Sequence, residues 1–174
     1  MEGKVVIYQL LLRAFGKRKS VSGGSYNLNG SGKFDDITDE VLKKIKKLSV
    51  SAIWYTGVIS HATKTHFHGI KDCNPSIVKG EAGSPYAIRN YFDVSPALAN
   101  NHDNRMAEFE ALIRRTHKAG MKVIIDFVPN HVFRQYDTYF KRDNFHILNG
   151  PLVLPESLNS DYVENPAKAT GNDV

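Results

Sequence analysis

Three short, nearly unbroken apolar runs, over residues 5–12, 52–59 and 122–128, constrain this chain more than any other feature. None alternates apolar with polar residues, as a strand with one wet face does. All fall far short of the roughly 20 apolar residues of a membrane helix. Such runs read as strands buried on both faces, the pattern of a parallel sheet covered by helices. Helical spacing fills the gaps. After Asp39-Glu40, the residues Val41, Leu42, Ile45 and Leu48 recur on one face, and the acidic start and lysine-rich end complement a helix dipole. Asp36 or Thr38 is placed to cap this helix. A second helix is expected over residues 104–119, with Met106, Phe109, Leu112 and Ile113 as its apolar stripe and Gly120 just past its end. Strand, helix, strand, long loop, helix and strand make a βαβαβ order, which implies right-handed crossovers and an α/β fold.

Composition narrows the partners. The chain has 174 residues, 41% hydrophobic and 24% charged, which suits one globular unit and not a disordered segment. Its single cysteine, Cys73, excludes an internal disulfide framework and fits a reducing compartment. Lys4 and the run behind it imitate a secretory leader. However, Arg13 follows at once and no small-x-small cleavage pattern comes after it, so a strand is expected there and the cytoplasm is the default location. A net charge of +5 demands no polyanion, and Lys43, Lys44, Lys46 and Lys47 read as a solvated helix face, so neither nucleic acid nor membrane is expected as a partner.

The third run turns polar at Asp126-Phe127-Val128-Pro129-Asn130-His131, where a parallel strand reaches its carboxyl end and ligands bind. Asp126, between Ile125 and Phe127, is expected to be partly desolvated and to need a partner. Asn130 offers a neutral oxygen that suits a hard cation such as calcium. His131 offers a hydrogen-bond donor or an acid–base group. The plainer alternative is an aspartate capping a turn beside a surface Asn-His pair. The loop over residues 60–102 holds His61, His66, His68 and Cys73, residue types that zinc prefers in a spacing that matches no standard zinc signature. Polar loop side chains are the plainer reading there. Trp54 is expected in the core, and Tyr55 is left open between core and ligand platform.

These residues carry a resemblance. Asp126-x-x-x-Asn130-His131 after Lys122-Val123-Ile124-Ile125 resembles the first conserved segment of the α-amylase family, glycoside hydrolase family 13. Ala119-Gly120-Met121-Lys122 resembles the family's helix-to-strand turn, and Val6-Ile7-Tyr8-Gln9 its first strand. Gly32-Lys33-Phe34-Asp35-Asp36-Ile37 resembles the lead into the first helix, and Ala52-Ile53-Trp54-Tyr55 the second strand. Ser84-Pro85-Tyr86-Ala87-Ile88-Arg89-Asn90-Tyr91 is similar to the substrate-loop segment. The match runs in order over residues 4–155 and is closest in wording to bacterial α-amylase-like proteins.

The resemblance implies the N-terminal portion of a (β/α)8 barrel, strands one to three, over residues 1–131. Residues 132–174 would then begin the domain inserted after the third strand. It also implies retaining cleavage or transfer at α-glucosidic bonds, with an α-glucan or oligosaccharide as partner. Carried over, Tyr86 would stack on the sugar ring, His131 would hydrogen-bond it, and Asp126 would support its neighbours. Asn130 would be a calcium ligand in members that bind calcium. Periplasmic or secreted full-length relatives are consistent with it. Ala87 stands where many exo-acting relatives have an aspartate, and Asn90 replaces an aspartate common before the second tyrosine.

Retaining hydrolysis needs two carboxyl groups about 5 Å apart. The resemblance places these after the fourth and fifth strands, beyond anything recognisable in this sequence. A complete barrel takes about 250 residues. The expectation is therefore an inactive part-barrel whose missing remainder is a candidate partner. The alternatives are a non-catalytic carbohydrate-binding remnant and a metal-binding module built on residues 61–73. Asn101-His102-Asp103 spells another family segment, but no strand leads into it, and a helix N-cap is the expected role. A strand or hairpin is expected over residues 145–154.

Overall fold

The computed structural model describes residues 4–16 and 30–136. The expectations over residues 145–154, and over all but the first few residues of 132–174, lie outside the described residues. In chain order the elements are β1 (Ile7–Leu11), α1 (Asp39–Lys46), β2 (Ala52–Thr56), β3 (Ile59–His61), β4 (Ile88–Val94), α2 (Arg105–Lys118) and β5 (Lys122–Ile125), with short 3-10 turns between them. β1, β2 and β5 form one parallel sheet in the order β1-β2-β5, as βαβαβ connectivity requires.

Local chemistry sets the helix ends. Thr38 Oγ1 accepts from the Val41 N–H at 3.3 Å and caps α1. Asp36 caps the preceding 3-10 turn instead, accepting from the Lys33 N–H at 2.7 Å. Lys43, Lys44 and Lys47 are exposed, as expected of a solvated face. Lys46 departs from it: its Nζ donates to Val50 O and Gly120 O and ties α1 to the turn before β5. Leu48 lies past the helix end and is exposed, so it is not part of the apolar stripe. In α2, Phe109 and Leu112 are buried while Met106 is 40% exposed; Thr116, fully buried, completes the face.

The core lies between the sheet and the two helices. Leu10, Ile53 and Tyr55 meet Leu42 and Ile45 of α1 and Phe109 and Leu112 of α2, and Phe34 packs on Phe109 with ring centroids 5.5 Å apart. Tyr55 is fully buried, and its hydroxyl bonds Thr116 Oγ1 at 2.7 Å. Burial raises its pKa to about 12, because the phenolate would be desolvated. Tyr55, not Trp54, is thus the core aromatic of β2. A strand alternates its side chains, so Trp54 points to the opposite face and is half-buried.

That opposite face corrects the expectation that all three strands are buried on both sides. The register aligns Ile7 with Ala52 and Lys122, and Gln9 with Trp54 and Ile124. On this face Ile7 is 51% and Ile124 36% exposed, and neither helix lies there. Only β2, the central strand, is largely buried on both faces.

The long loop is not structureless. The second apolar run breaks at Gly57, and β3 pairs antiparallel with β4 in a separate ribbon. Ala62, Cys73, Val78 and Ala87 gather beneath this ribbon around Phe133, whose N–H donates to Ile88 O at 2.8 Å. The chain after β5 therefore folds back onto the ribbon.

Candidate functional site

The polar residues collect at the carboxyl ends of the parallel strands, the end where α/β folds bind ligands. Asp126 follows β5. One of its carboxylate oxygens accepts from the Trp54 indole N–H and the other from the Gly57 N–H at 3.1 Å. The partner that desolvation demanded is thus a pair of donors from β2 and its end. Both oxygens are engaged.

Gly57 connects this carboxylate to the loop carrying Tyr86. Its φ is +77°, and a Cβ there would lie 3.0 Å from the Pro85 side chain. The loop is held at three further points. Arg13 Nη1 donates to Gly83 O at 2.7 Å, and the Tyr86 N–H donates to Ser84 Oγ at 3.2 Å. The Ala62 N–H donates to Ala87 O at 2.9 Å. Tyr86 is itself half-buried.

His131 is held from β4. The Tyr91 hydroxyl donates to the main-chain carbonyls of Val128 and His131, the latter at 3.2 Å. Burial, with Tyr136 beside it, raises the Tyr91 pKa. His131 Nε2 is buried without a hydrogen-bond partner, which costs free energy unless something else supplies one. The ribbon thus carries Tyr86 at one end and, through Tyr91, fixes the backbone of His131. Asn90 Oδ1 accepts from the Phe92 N–H at 2.9 Å, a contact local to β4.

Asn130 is exposed. Calcium takes six to eight oxygens. Here Asn130 offers one amide oxygen, while both oxygens of nearby Asp126 are used by N–H donors. The described residues by themselves do not make up a calcium site.

The histidine loop does not converge either. His61 is buried in β3, with Nδ1 bonded to Ile59 O at 3.0 Å, and burial lowers its pKa to about 4. His66, on the surface, pairs with Asp72 at 2.9 Å. Cys73 lies buried beside Arg89, and no three His, Cys, Asp or Glu side chains among the described residues form a metal-holding group. Asn101 Oδ1 accepts from the Asp103 N–H at 3.1 Å and caps the short turn leading into α2, as expected. No helix among the described residues is long and apolar enough to cross a membrane.

Sequence reasoning singled out Tyr86, Asp126 and His131 as candidates but missed what holds them. Gly57, at the end of an apolar run, carried a signal for a tight turn. Arg13, which ends the first run, carried none for a contact with residue 83.

A parallel sheet with helices on one face and polar groups at its carboxyl edge defines an α/β protein of barrel type. The family model for the alpha amylase catalytic domain matches residues 20–172. The chain belongs to the alpha-amylase family, and its sheet is part of a (β/α)8 barrel. It is 26% identical over 133 residues to the trehalose-6-phosphate hydrolase of Bacillus subtilis, covering 76% of this chain and 18% of the relative. It is also 28% identical over 105 residues to a human protein named amino acid transporter heavy chain SLC3A1, covering 60% of this chain and 12% of that one. An alpha-amylase structure from Lactobacillus plantarum aligns with a TM-score of 0.54 at 27% identity, covering 77% of this chain and 25% of the other. The chain thus spans less than a fifth of those two curated relatives.

Proposed function

We propose that this chain supplies the first three strands of the barrel of a retaining glycoside hydrolase acting on α-glucosidic bonds, over residues 1–131, with residues 132–174 beginning the inserted domain. It contributes one wall of the sugar subsite. Tyr86 stacks on the ring, His131 donates to a sugar hydroxyl, and Asp126 holds the floor through Trp54 and Gly57. The observation that carries this reading is the orphaned, buried Nε2 of His131, because it is a built donor or acceptor awaiting a partner. Asp126 is committed to two N–H donors, so it is a poor nucleophile, and the chain by itself is inactive.

Trp54 is the only tryptophan and lies against Asp126, so its fluorescence reports on the site. Titration with maltoheptaose should give a millimolar Kd, weakened about tenfold or more by Tyr86→Ala or His131→Ala, with no release of reducing sugar. Turnover by the purified chain, or binding indifferent to both substitutions, overturns the reading.

A second reading is a carbohydrate-binding protein that does not cleave. One relative carries the name of a transporter heavy chain, so family membership alone does not assign catalysis. A stable monomer binding maltoheptaose at micromolar Kd favours it over the part-barrel.

A further inference from the structure

We infer that Tyr91 is a positioning residue for His131 and that it acts through its hydroxyl. Three observations converge. First, the turn over residues 128–131 lies beyond the end of β5 and has no strand partner in the parallel sheet. Second, the Tyr91 hydroxyl reaches two carbonyls of that turn, Val128 O and His131 O, from β4 in the other sheet. One hydroxyl proton shared between two carbonyls fixes both ends of a short turn relative to the ribbon. Third, the imidazole held by this turn has a buried Nε2 with no partner. Such an atom stays buried only when the backbone behind it is held, because release would let the ring turn to water.

The tether also links the two halves of the site. Tyr91 and Tyr86 lie on the same ribbon segment, so this hydroxyl, together with the Phe133 N–H bonded to Ile88 O at 2.8 Å, sets the distance between the Tyr86 loop and the His131 turn. The Tyr91 ring contacts Phe127 at 5.5 Å and Tyr136 at 5.9 Å, which is a separate, apolar hold on the same region. The inference assigns the positioning to the hydroxyl and not to these ring contacts.

The test uses the full chain with labelled histidine, and the imidazole carbon–proton signals are read at one fixed pH. His131→Gln identifies the His131 signal. Tyr91→Phe removes the hydroxyl and keeps the ring. It should move the His131 signal, leave those of His66 and His117 in place, and leave the melt within a few degrees of wild type. Phe127→Leu removes a ring contact and keeps the hydroxyl, and it should leave the His131 signal in place. An unmoved His131 signal in Tyr91→Phe overturns the inference. So does an equal movement in both variants, since ring packing would then do the positioning.

The consequence for sugar rests on the proposed function: Tyr91→Phe should raise the Kd for maltoheptaose about threefold to tenfold, less than His131→Ala does. If the wild type binds no sugar while Tyr91→Phe still moves the His131 signal, the functional reading falls and the positioning role stands.

Discussion

His61 shows how far one residue's environment departs from its sequence signal. As one of a string of histidines it suggested a metal ligand, but β3 buries it and bonds its Nδ1 to Ile59 O. Burial disfavours the imidazolium, and its pKa falls to about 4 from the ordinary 6.5. The unfolded chain therefore takes up a proton as pH drops below 6.5, and the folded chain does not until about 4. Stability that is fully present above 6.5 is lost across that window, by about 3 kcal/mol in all. Denaturant melts of wild type and His61→Gln between pH 7 and 4 check this, and the variant should show the shallower slope. Trp54 and Tyr55 teach the same lesson. Their adjacency was visible, but which of them faces the helices depends on strand phase, and a run that is apolar on both faces does not reveal its phase.

At the scale of elements, the two helices and three parallel strands were legible because periodicity of 3.6 and continuous apolar runs are strong signals. The β3–β4 ribbon was not. β3 has three residues and continues an apolar run past Gly57, while β4 mixes Arg89, Asn90 and Asp93 with its apolar residues. The ribbon nonetheless places the Tyr86 loop, and a glycine anchors that loop. Gly83 has φ +66°, and a Cβ would lie 1.8 Å from Ala62 O. Gly83→Ala should destabilise the chain by at least about 2 kcal/mol and displace the Tyr86 loop. Gly80 has φ +64° with nothing within 4 Å, so Gly80→Ala should cost only the backbone strain, about 1 kcal/mol. Thermal melts of the pair separate the two effects, and equal costs would refute the close approach.

At the scale of the molecule, the decisive feature among the described residues is a sheet covered by helices on one face. Among the described residues β1 and β5 are its outer strands, and Ile7, Leu11 and Ile124 stand exposed on the open face. Open strand edges beside exposed apolar side chains template further pairing. A polypeptide of these 174 residues should therefore self-associate at micromolar concentration in sedimentation, and Ile7→Lys should shift it toward monomer without lowering the melting midpoint. A monodisperse wild-type monomer would contradict this. In the part-barrel reading, the same face is the barrel interior, to be covered by the rest of the barrel.

The sequence alone determined the family and the βαβαβ order, because these depend on residue type and spacing along the chain, and it singled out Tyr86, Asp126 and His131 as candidates. Tertiary structure decided what those residues can do. It committed both Asp126 oxygens to Trp54 and Gly57, buried His61 away from any metal role, and set Tyr91 behind His131. The Asp126 bonds and the Tyr91–His131 bond join residues at least 40 positions apart in sequence. Such contacts follow from how the strands and the ribbon are set against each other, and no local pattern encodes that.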